Sequence, residues 1–248
     1  MSDIVKKNSD GLIKAKIGVL KLAVGNNEKK LSKVMGDIKS MLTSPNLAKC
    51  SKDSIINSAI SLVKLDLDID PLIGEAYVTP YGNIATPQIG YKGYIKIASR
   101  AGWRVIVTPI YKGEHFVFEE VNGSKFFKHR ANIIGNRESD KKWVEENLQA
   151  MVVTAIDPKG FKYIEAVGKD MLEKLKNSSK MKSSSIWDNW TIKMYKAKAI
   201  KYILKTIPIS SDMSEALKVD DEGDTIKSNT EQDIQDVDFT DLKGDINE

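Results

Sequence analysis

Cationic side chains recur at helical spacing in two stretches of this chain, and such a pattern can hold a polyanion. In the first, Lys92, Lys96 and Arg100 fall four apart behind Gly90, so a helix there gathers them, with Ser99, on one polar face. In the second, Lys198, Lys201 and Lys205 stand at i, i+3 and i+7, with Lys196 beside the stripe. Gln88 and Tyr91 adjoin the first stretch and are placed to hydrogen-bond or stack. Lys128 and Arg130 bracket His129 in a third, extended stretch. Holding a single strand without sequence preference needs cations along the backbone and aromatic faces for the bases. A lysine stripe alone is more often just the solvated face of an ordinary helix.

Residues for covalent chemistry are sparse. No stretch matches GxxxxGK[ST], because the glycines of GYKG and GNNEKK have the wrong spacing for a phosphate-cradling loop. GxSxG, HExxH and paired-cysteine patterns are also missing. One cysteine, Cys50, and two histidines, His115 and His129, are too few for a zinc site, and each histidine reads as a hydrogen-bonded structural residue near a strand end. A nuclease would have to draw its carboxylates from Asp66, Asp68, Asp70 and Glu75. The three aspartates alternate with Leu65, Leu67 and Ile69, which puts them on one side of an extended segment. A metal usually needs more oxygen ligands, converging from several segments, so a structural role is expected. We assign no catalytic residue, metal ligand or cofactor, and read the protein as one that works by binding.

The elements that must position these residues follow from periodicity. Leu12, Ala15, Ile17, Leu20 and Val24 form one helical set, broken at Gly25-Asn26-Asn27. Leu31, Val34, Met35, Ile38 and Leu42 form a second, ended by Ser44-Pro45. Ser51 is the expected N-cap of a third helix through Val63. Ala76 to Tyr81 and Ile84 to Gln88 flank Gly82-Asn83 as a β-hairpin, which Pro80 and Pro87 confine to a sheet edge or to bulges. A helix follows from Gly90 to Gly102. Trp103 to Tyr111, Glu114 to Val121 and Ser124 to Arg130 read as strands, the last two about an Asn122-Gly123 turn. Ile133 to Trp143 reads as a polar loop. Leu148 to Ile156 and Phe161 to Val167 form a further hairpin, and a short helix covers Lys169 to Lys176. The Ser/Lys run NSSKMKSSS is expected to be a mobile connector, leading to one long helix from about Ile186 to Ile207 before Pro208. Its stripe of Met194, Ala197, Ile200, Leu204 and Ile207 should be core, as should Trp187 and Trp190.

The fold class expected is α+β, a small antiparallel sheet of hairpins packed with helices. Residues 1–46 form an N-terminal helical layer, 47–218 the core, and 219–248 a disordered acidic tail. In that tail eleven acids stand against two lysines, so it carries −9 and the rest of the chain +13 of the net +4. A basic body with an acidic tail suits a polyanion binder that carries its own competitor, or an ordinary solvated protein with a solubilising tail. No apolar run approaches the length of a membrane span, the N-terminus has no apolar signal core, and a lone cysteine fits a reducing compartment, so cytoplasmic residence is expected.

Several separated motifs, in order, resemble the RecT family of phage single-strand DNA annealing proteins. They are Leu65-x-Leu67 with Gly74-x-Ala76-Tyr77, PYGN at 80–83, Gln88-Ile89-Gly90-Tyr91-Lys92-Gly93, and Ile97-Ala98-x-Arg100-x-Gly102. Trp187, Met194, Lys196, Ile200, Lys201, Leu204, Lys205 and Pro208 continue the match downstream, so that it covers roughly 53–208. Asp66 and Ile69 depart from a glycine and a proline common in the family, and Tyr202 replaces one of two adjacent basic residues. The resemblance implies ATP-independent annealing of complementary strands in phage recombination, with Gln88, Tyr91, Lys92, Lys96, Arg100, Lys128, Arg130, Lys196, Lys198, Lys201 and Lys205 as candidate DNA contacts. It also implies rings or filaments of the protein, to which the N-terminal helices would contribute subunit contacts. The implied partners are single-stranded DNA, the annealed duplex intermediate, a phage 5′→3′ exonuclease, and a host single-strand binding protein. A passive single-strand protector is the competing reading.

Overall fold

The computed structural model describes residues 11–178 and 185–225. Residues 11–15 are helical and lead, past a turn at Lys16, into α1 (Ile17–Ala23), α2 (Glu28–Thr43) and α3 (Lys52–Lys64). The chain turns between α1 and α2 through left-handed Gly25 and Asn26, and the Asn27 side chain caps α2 by accepting from Lys30 N at 3.0 Å. Leu31, Val34, Ile38 and Met41 give α2 one buried stripe. Ser51 caps α3 as expected, its Oγ accepting from Ser54 N at 3.2 Å.

Helix α3 lies on a two-stranded hairpin, β1 (Ala76–Tyr81) and β2 (Ile84–Ile89), in which Pro80 opposes Ala85 and Pro87 opposes Val78. Among the described residues no third strand joins it, so both edges lack ladder partners, which suits the two prolines. Serines of α3 serve the outer edge of β2 instead. Ser54 Oγ accepts from Ala85 N at 2.9 Å, and Ser58 Oγ donates to Ala85 O at 2.8 Å.

After α4 (Tyr91–Arg100) come β3 (Arg104–Tyr111), β4 (His115–Val121), β5 (Ser124–Arg130), α5 (Lys141–Asn147), β6 (Leu148–Ile156) and β7 (Lys162–Gly168). The sheets are antiparallel, as expected, but the described residues form three of them. Strand β3 pairs with β6 in the order β3-β6-β7, while β4 and β5 form a hairpin of their own about left-handed Asn122 and Gly123. The stretch read as a polar loop to Trp143 ends instead in α5. Its N-cap Asp140 accepts from Trp143 N at 3.1 Å, and Trp143 packs its ring 4.8 Å from that of Tyr111.

The remaining helices are α6 (Lys169–Ser178), α7 (Ser185–Asn189), α8 (Thr191–Leu204) and α9 (Ser211–Thr225). Most of the serine-lysine connector lies outside the described residues. The single long helix expected over 186–207 is two, broken at Trp190, where Thr191 Oγ1 donates back to Trp187 O at 2.6 Å and ties the turn. The expected tail boundary also moves. Residues 219–225 are the second half of α9, which buries Met213, Ala216 and Leu217 together with Asp220. The acidic residues beyond 225 lie outside the described residues.

Most of the buried apolar side chains join in one core, running from Ile13 in the N-terminal layer to Leu217 in α9. None of the described helices is long and apolar enough to cross a membrane.

Candidate nucleic-acid interface

Two glycines set the geometry. The first turn of α4 runs against the chain entering β1, where Gly90 N donates to Glu75 O at 2.9 Å. A Cβ on Gly90 would stand 2.5 Å from Gly74 O, and one on Gly93 would stand 2.2 Å from Glu75 O. Both obstacles are backbone and cannot swing aside. The G-Y-K-G spacing therefore reflects close approach of two backbones, and it fixes where Tyr91 and Lys92 project.

The polar face of α4 meets the alternating aspartates. Leu65, Leu67 and Ile69 are buried and Asp66, Asp68 and Asp70 half-exposed, but the segment is not extended throughout as expected: Asp66 is left-handed, in the turn that closes α3 through Leu67 N to Leu62 O. Asp66 pairs with Lys30 of α2 and, at 2.9 Å, with Arg100, whose guanidinium also donates to Leu65 O at 2.6 Å. Glu75 accepts from Lys96 Nζ at 2.7 Å and from Asp68 N at 2.8 Å. Lys33 binds Asp68 at 2.7 Å, and the Asp70 carboxylate caps Leu72 N. Partial burial works to raise the Asp66 and Asp68 carboxyls, but the lysine and arginine bonds outweigh it and hold both below the usual range. These acids tie the N-terminal layer to α4. Among the described residues, no group of three or more His, Cys, Asp or Glu is placed to hold a metal. Of the three cations expected on this face, Lys96 and Arg100 are thus engaged by acids, while exposed Lys92 donates to the Ile73 carbonyl at 3.2 Å.

A groove opens between the end of β2 with the first turn of α4 on one side and α8 on the other. Tyr77, Gln88 and Tyr91 line the first wall; Trp190, Lys193, Met194, Ala197 and Lys198 line the second. Buried Lys201 and Asp220 form its inner end. At 1.5 Å per residue, the lining of α8 from Trp190 to Lys201 spans about 16 Å. Gln88 Nε2 donates to Tyr81 Oη at 2.9 Å, which holds the side chain at this wall. Burial, and then neighbouring Tyr91, push the Tyr77 hydroxyl up. Helix α4 begins at Gly90 with no side-chain cap, so its leading N–H groups are the kind that receive anions.

Lys193 is the residue the sequence reading missed. Its Nζ sits 3.6 Å from the Trp190 ring centroid, and its pKa is lowered by burial and then by the charges of Lys92 and Lys196. Lys193 therefore feels the charge of Lys92 on α4 and of Lys196 on its own helix. The i, i+3 spacing of Lys193 and Lys196 was the available signal. The two tryptophans also differ. Trp187 is buried with its ring edge-on to Tyr195 at 5.2 Å, whereas Trp190, expected in the core, is 51% exposed.

The expected stripe on α8 divides. Lys198 lines the groove, Lys201 is buried between Asp220 and Asp221, and Lys205 pairs with Asp221 at 2.9 Å. Ile200 and Leu204 are core as expected, but Met194 and Ala197 line the groove, and Ile192, Tyr195, Ala199 and Ile203 complete the buried side. The helix is covered on several sides, by α4, α6 and β6 among others, so no single lysine stripe stays open. Lys196 approaches Glu138 at 3.6 Å. Lys128 and Arg130 stand exposed on β5 and do not line the groove. Between them His129 meets buried Glu114 at 2.9 Å. Burial would raise the Glu114 carboxyl, but bonds from Asn136, Tyr111 N, Asn132 N and His129 bring it below the ordinary range.

Comparison with known proteins adds a second line of evidence. A model of the RecT family matches residues 29–236, which include the β1–β2 hairpin, α4, α8 and α9. The chain is 44% identical over 70 residues to Uncharacterized protein YqaK of Bacillus subtilis (strain 168), a match covering 27% of this chain and 25% of that one. It is 24% identical over 187 residues to Protein RecT of Escherichia coli (strain K12), covering 71% of this chain and 66% of that one. The matches thus span a quarter of the first relative's length and just under two thirds of the second's.

Proposed function

The chain belongs to the RecT family, and from that premise we propose that it binds single-stranded DNA and anneals complementary strands, without ATP, in phage homologous recombination. The observation that carries this reading is the groove, where Lys193 and Lys198 stand beside exposed Trp190 and half-buried Tyr91, with the charges of Lys92 and Lys196 near enough to act on Lys193. Cations that track phosphates together with rings that accept any base are what sequence-tolerant strand binding requires. Neutralising one strand's phosphates lowers the repulsion that a second strand must overcome. Pairing then supplies both the driving force and the specificity, so no nucleotide hydrolysis is needed and no residue need act as a catalyst.

Exposed apolar side chains at Val19 and Leu22 of α1, and at Leu72 and Ile73, support self-association through the N-terminal side. Protomers joined there, in a ring or filament, would extend the groove along a strand. In this reading the protein acts in the cytoplasm, on strands produced by a phage 5′→3′ exonuclease and shared with a host single-strand binding protein.

The test is a fluorescence-quenching time course with two labelled complementary oligonucleotides and no ATP. Pairing is expected to be faster with protein than without, and a non-complementary pair should show no gain. Slower pairing at every protein-to-nucleotide ratio is the behaviour of a passive protector and would overturn the annealing reading.

A further inference from the structure

At the inner end of the groove the chain has placed one of its own anions. Asp220 Oδ1 accepts from Ile89 N at 2.8 Å, and Oδ2 accepts from Tyr94 Oη at 3.0 Å and from Lys201 Nζ. The three donors come from β2, α4 and α8 and converge on a single carboxylate brought in by α9. Asp221, the next residue, pairs with Lys201 at 3.0 Å and with Lys205 at 2.9 Å. One turn of α9 therefore neutralises both inner lysines of α8. A main-chain amide, a hydroxyl and an ammonium are also the donors that a phosphate diester would use.

We propose that Ile89 N, Tyr94 Oη and Lys201 Nζ form a phosphate site for the DNA backbone, filled by Asp220 in the free protein and emptied when a strand takes its place. This inference rests on the strand-binding reading and adds to it a specific site and an internal competitor. Two observations separate it from a simple structural pin. First, Asp220 and Lys201 line the same groove as Gln88, Tyr91, Lys193 and Lys198, so a strand lying there leads to the carboxylate. Second, a buried ion pair adds little net stability, whereas leaving one partner unpaired is costly. Exchanging the carboxylate for a phosphate keeps Lys201 paired throughout, so the exchange avoids the cost of an isolated charge. Lifting this turn of α9 also frees Lys205.

The experiment measures fluorescence anisotropy of a labelled 30-nucleotide oligo(dT) across a salt series, using full-length protein. Asp220→Asn and Asp221→Asn are each expected to bind the oligonucleotide about 10-fold more tightly at low salt, because the strand no longer displaces a full carboxylate, while the slope of log K on log salt stays close to that of wild type, since both complexes hold the same phosphates. Asp221 is half-exposed, so its variant reports on competition even if Asp220→Asn weakens the fold. A second readout is tryptic cleavage after Lys218, an exposed residue on α9, which the oligonucleotide should accelerate as the helix lifts. Lys193→Ala, in the open part of the groove, tests the underlying reading independently. If wild type binds and Lys193→Ala weakens it, while both acid variants behave as wild type and cleavage does not change, strand binding stands and this inference is overturned. If neither wild type nor the acid variants bind, both fall together.

Discussion

Replacing Gly93 by alanine should destabilise the protein, although the same change in an isolated helix would stabilise it. Alanine gains about 1 kcal/mol over glycine from helix propensity in an exposed helix interior. At Gly93, however, the new methyl would stand 2.2 Å from Glu75 O and 2.9 Å from Ile89 Cγ2. The first obstacle is backbone, so relief requires α4 to move away from the entry to β1. Overpacking of this kind costs typically about 1–3 kcal/mol and sometimes more, and here it should reach the upper part of that range. After the propensity gain, a net loss of about 2 kcal/mol remains, or a Tm lower by about 4–8 °C for a chain of this size. Gly36 is the control. It lies in α2, is exposed, and has nothing within 4 Å of an added Cβ, so Gly36→Ala should be neutral or stabilising by up to about 1 kcal/mol. Thermal and urea unfolding of both variants measure the difference directly. If Gly93→Ala is as stable as Gly36→Ala, the close-approach account of the G-Y-K-G spacing is wrong. Because the displaced helix carries Tyr91 and Lys92, oligonucleotide binding by Gly93→Ala should also weaken at temperatures where it remains folded.

Lys193→Ala should weaken oligo(dT) binding and make its salt slope shallower by about 0.7, the contribution of one single-strand phosphate; an unchanged slope would remove Lys193 from the interface. Trp190→Ala should cost about 1–3 kcal/mol of binding with little change in stability, as loss of one stacking surface does, whereas Trp187→Ala should lose about 3–5 kcal/mol of stability. Parallel titration and denaturation of these two variants would refute the division if both lose stability alike. Glu114 has a depressed carboxyl, so the stability it contributes is present above the ordinary glutamate range and disappears as pH falls through its lower folded value. Glu114→Gln should therefore be less stable than wild type near neutrality, by about 1–3 kcal/mol, with the gap narrowing below about pH 4 in acid-range denaturant titrations.

The local rules of the sequence were legible where one residue type suits one geometry. Ser51 before an apolar run and Asn122-Gly123 between strands both led to the geometry found, whereas leucines alternating with Asp66 and Asp68 told which side chains are buried but not that Asp66 sits in a left-handed turn. Pairing between distant strands was not legible. Nothing in Arg104–Tyr111 says that its neighbour is Leu148–Ile156 rather than the strand that follows it, because both alternatives bury the same apolar face. The cations of the site were identifiable by type, but their partners were not. Lys201 and Lys205 look alike as a helical stripe, and only the return of α9 shows that Asp220 and Asp221 meet them. Trp187 and Trp190 are also indistinguishable by composition. The break between α7 and α8 turns one into the core and leaves the other in the groove.

The bond from Ile89 N to Asp220 joins residues 131 positions apart, and it has a consequence for how the protein is made. Synthesis runs from the N-terminus, so β2, α4 and the amide of Ile89 exist well before the ribosome adds α9. Lys201 is added much later, only 19 residues before Asp220, and in that shorter interval its ammonium and the Tyr94 hydroxyl await the carboxylate that joins them in the finished chain. The bond from Ile89 N to Asp220 is a long-range contact that can close only after α8 has been made. A nucleic acid beside the growing chain can therefore meet these donors before the chain's own acid does.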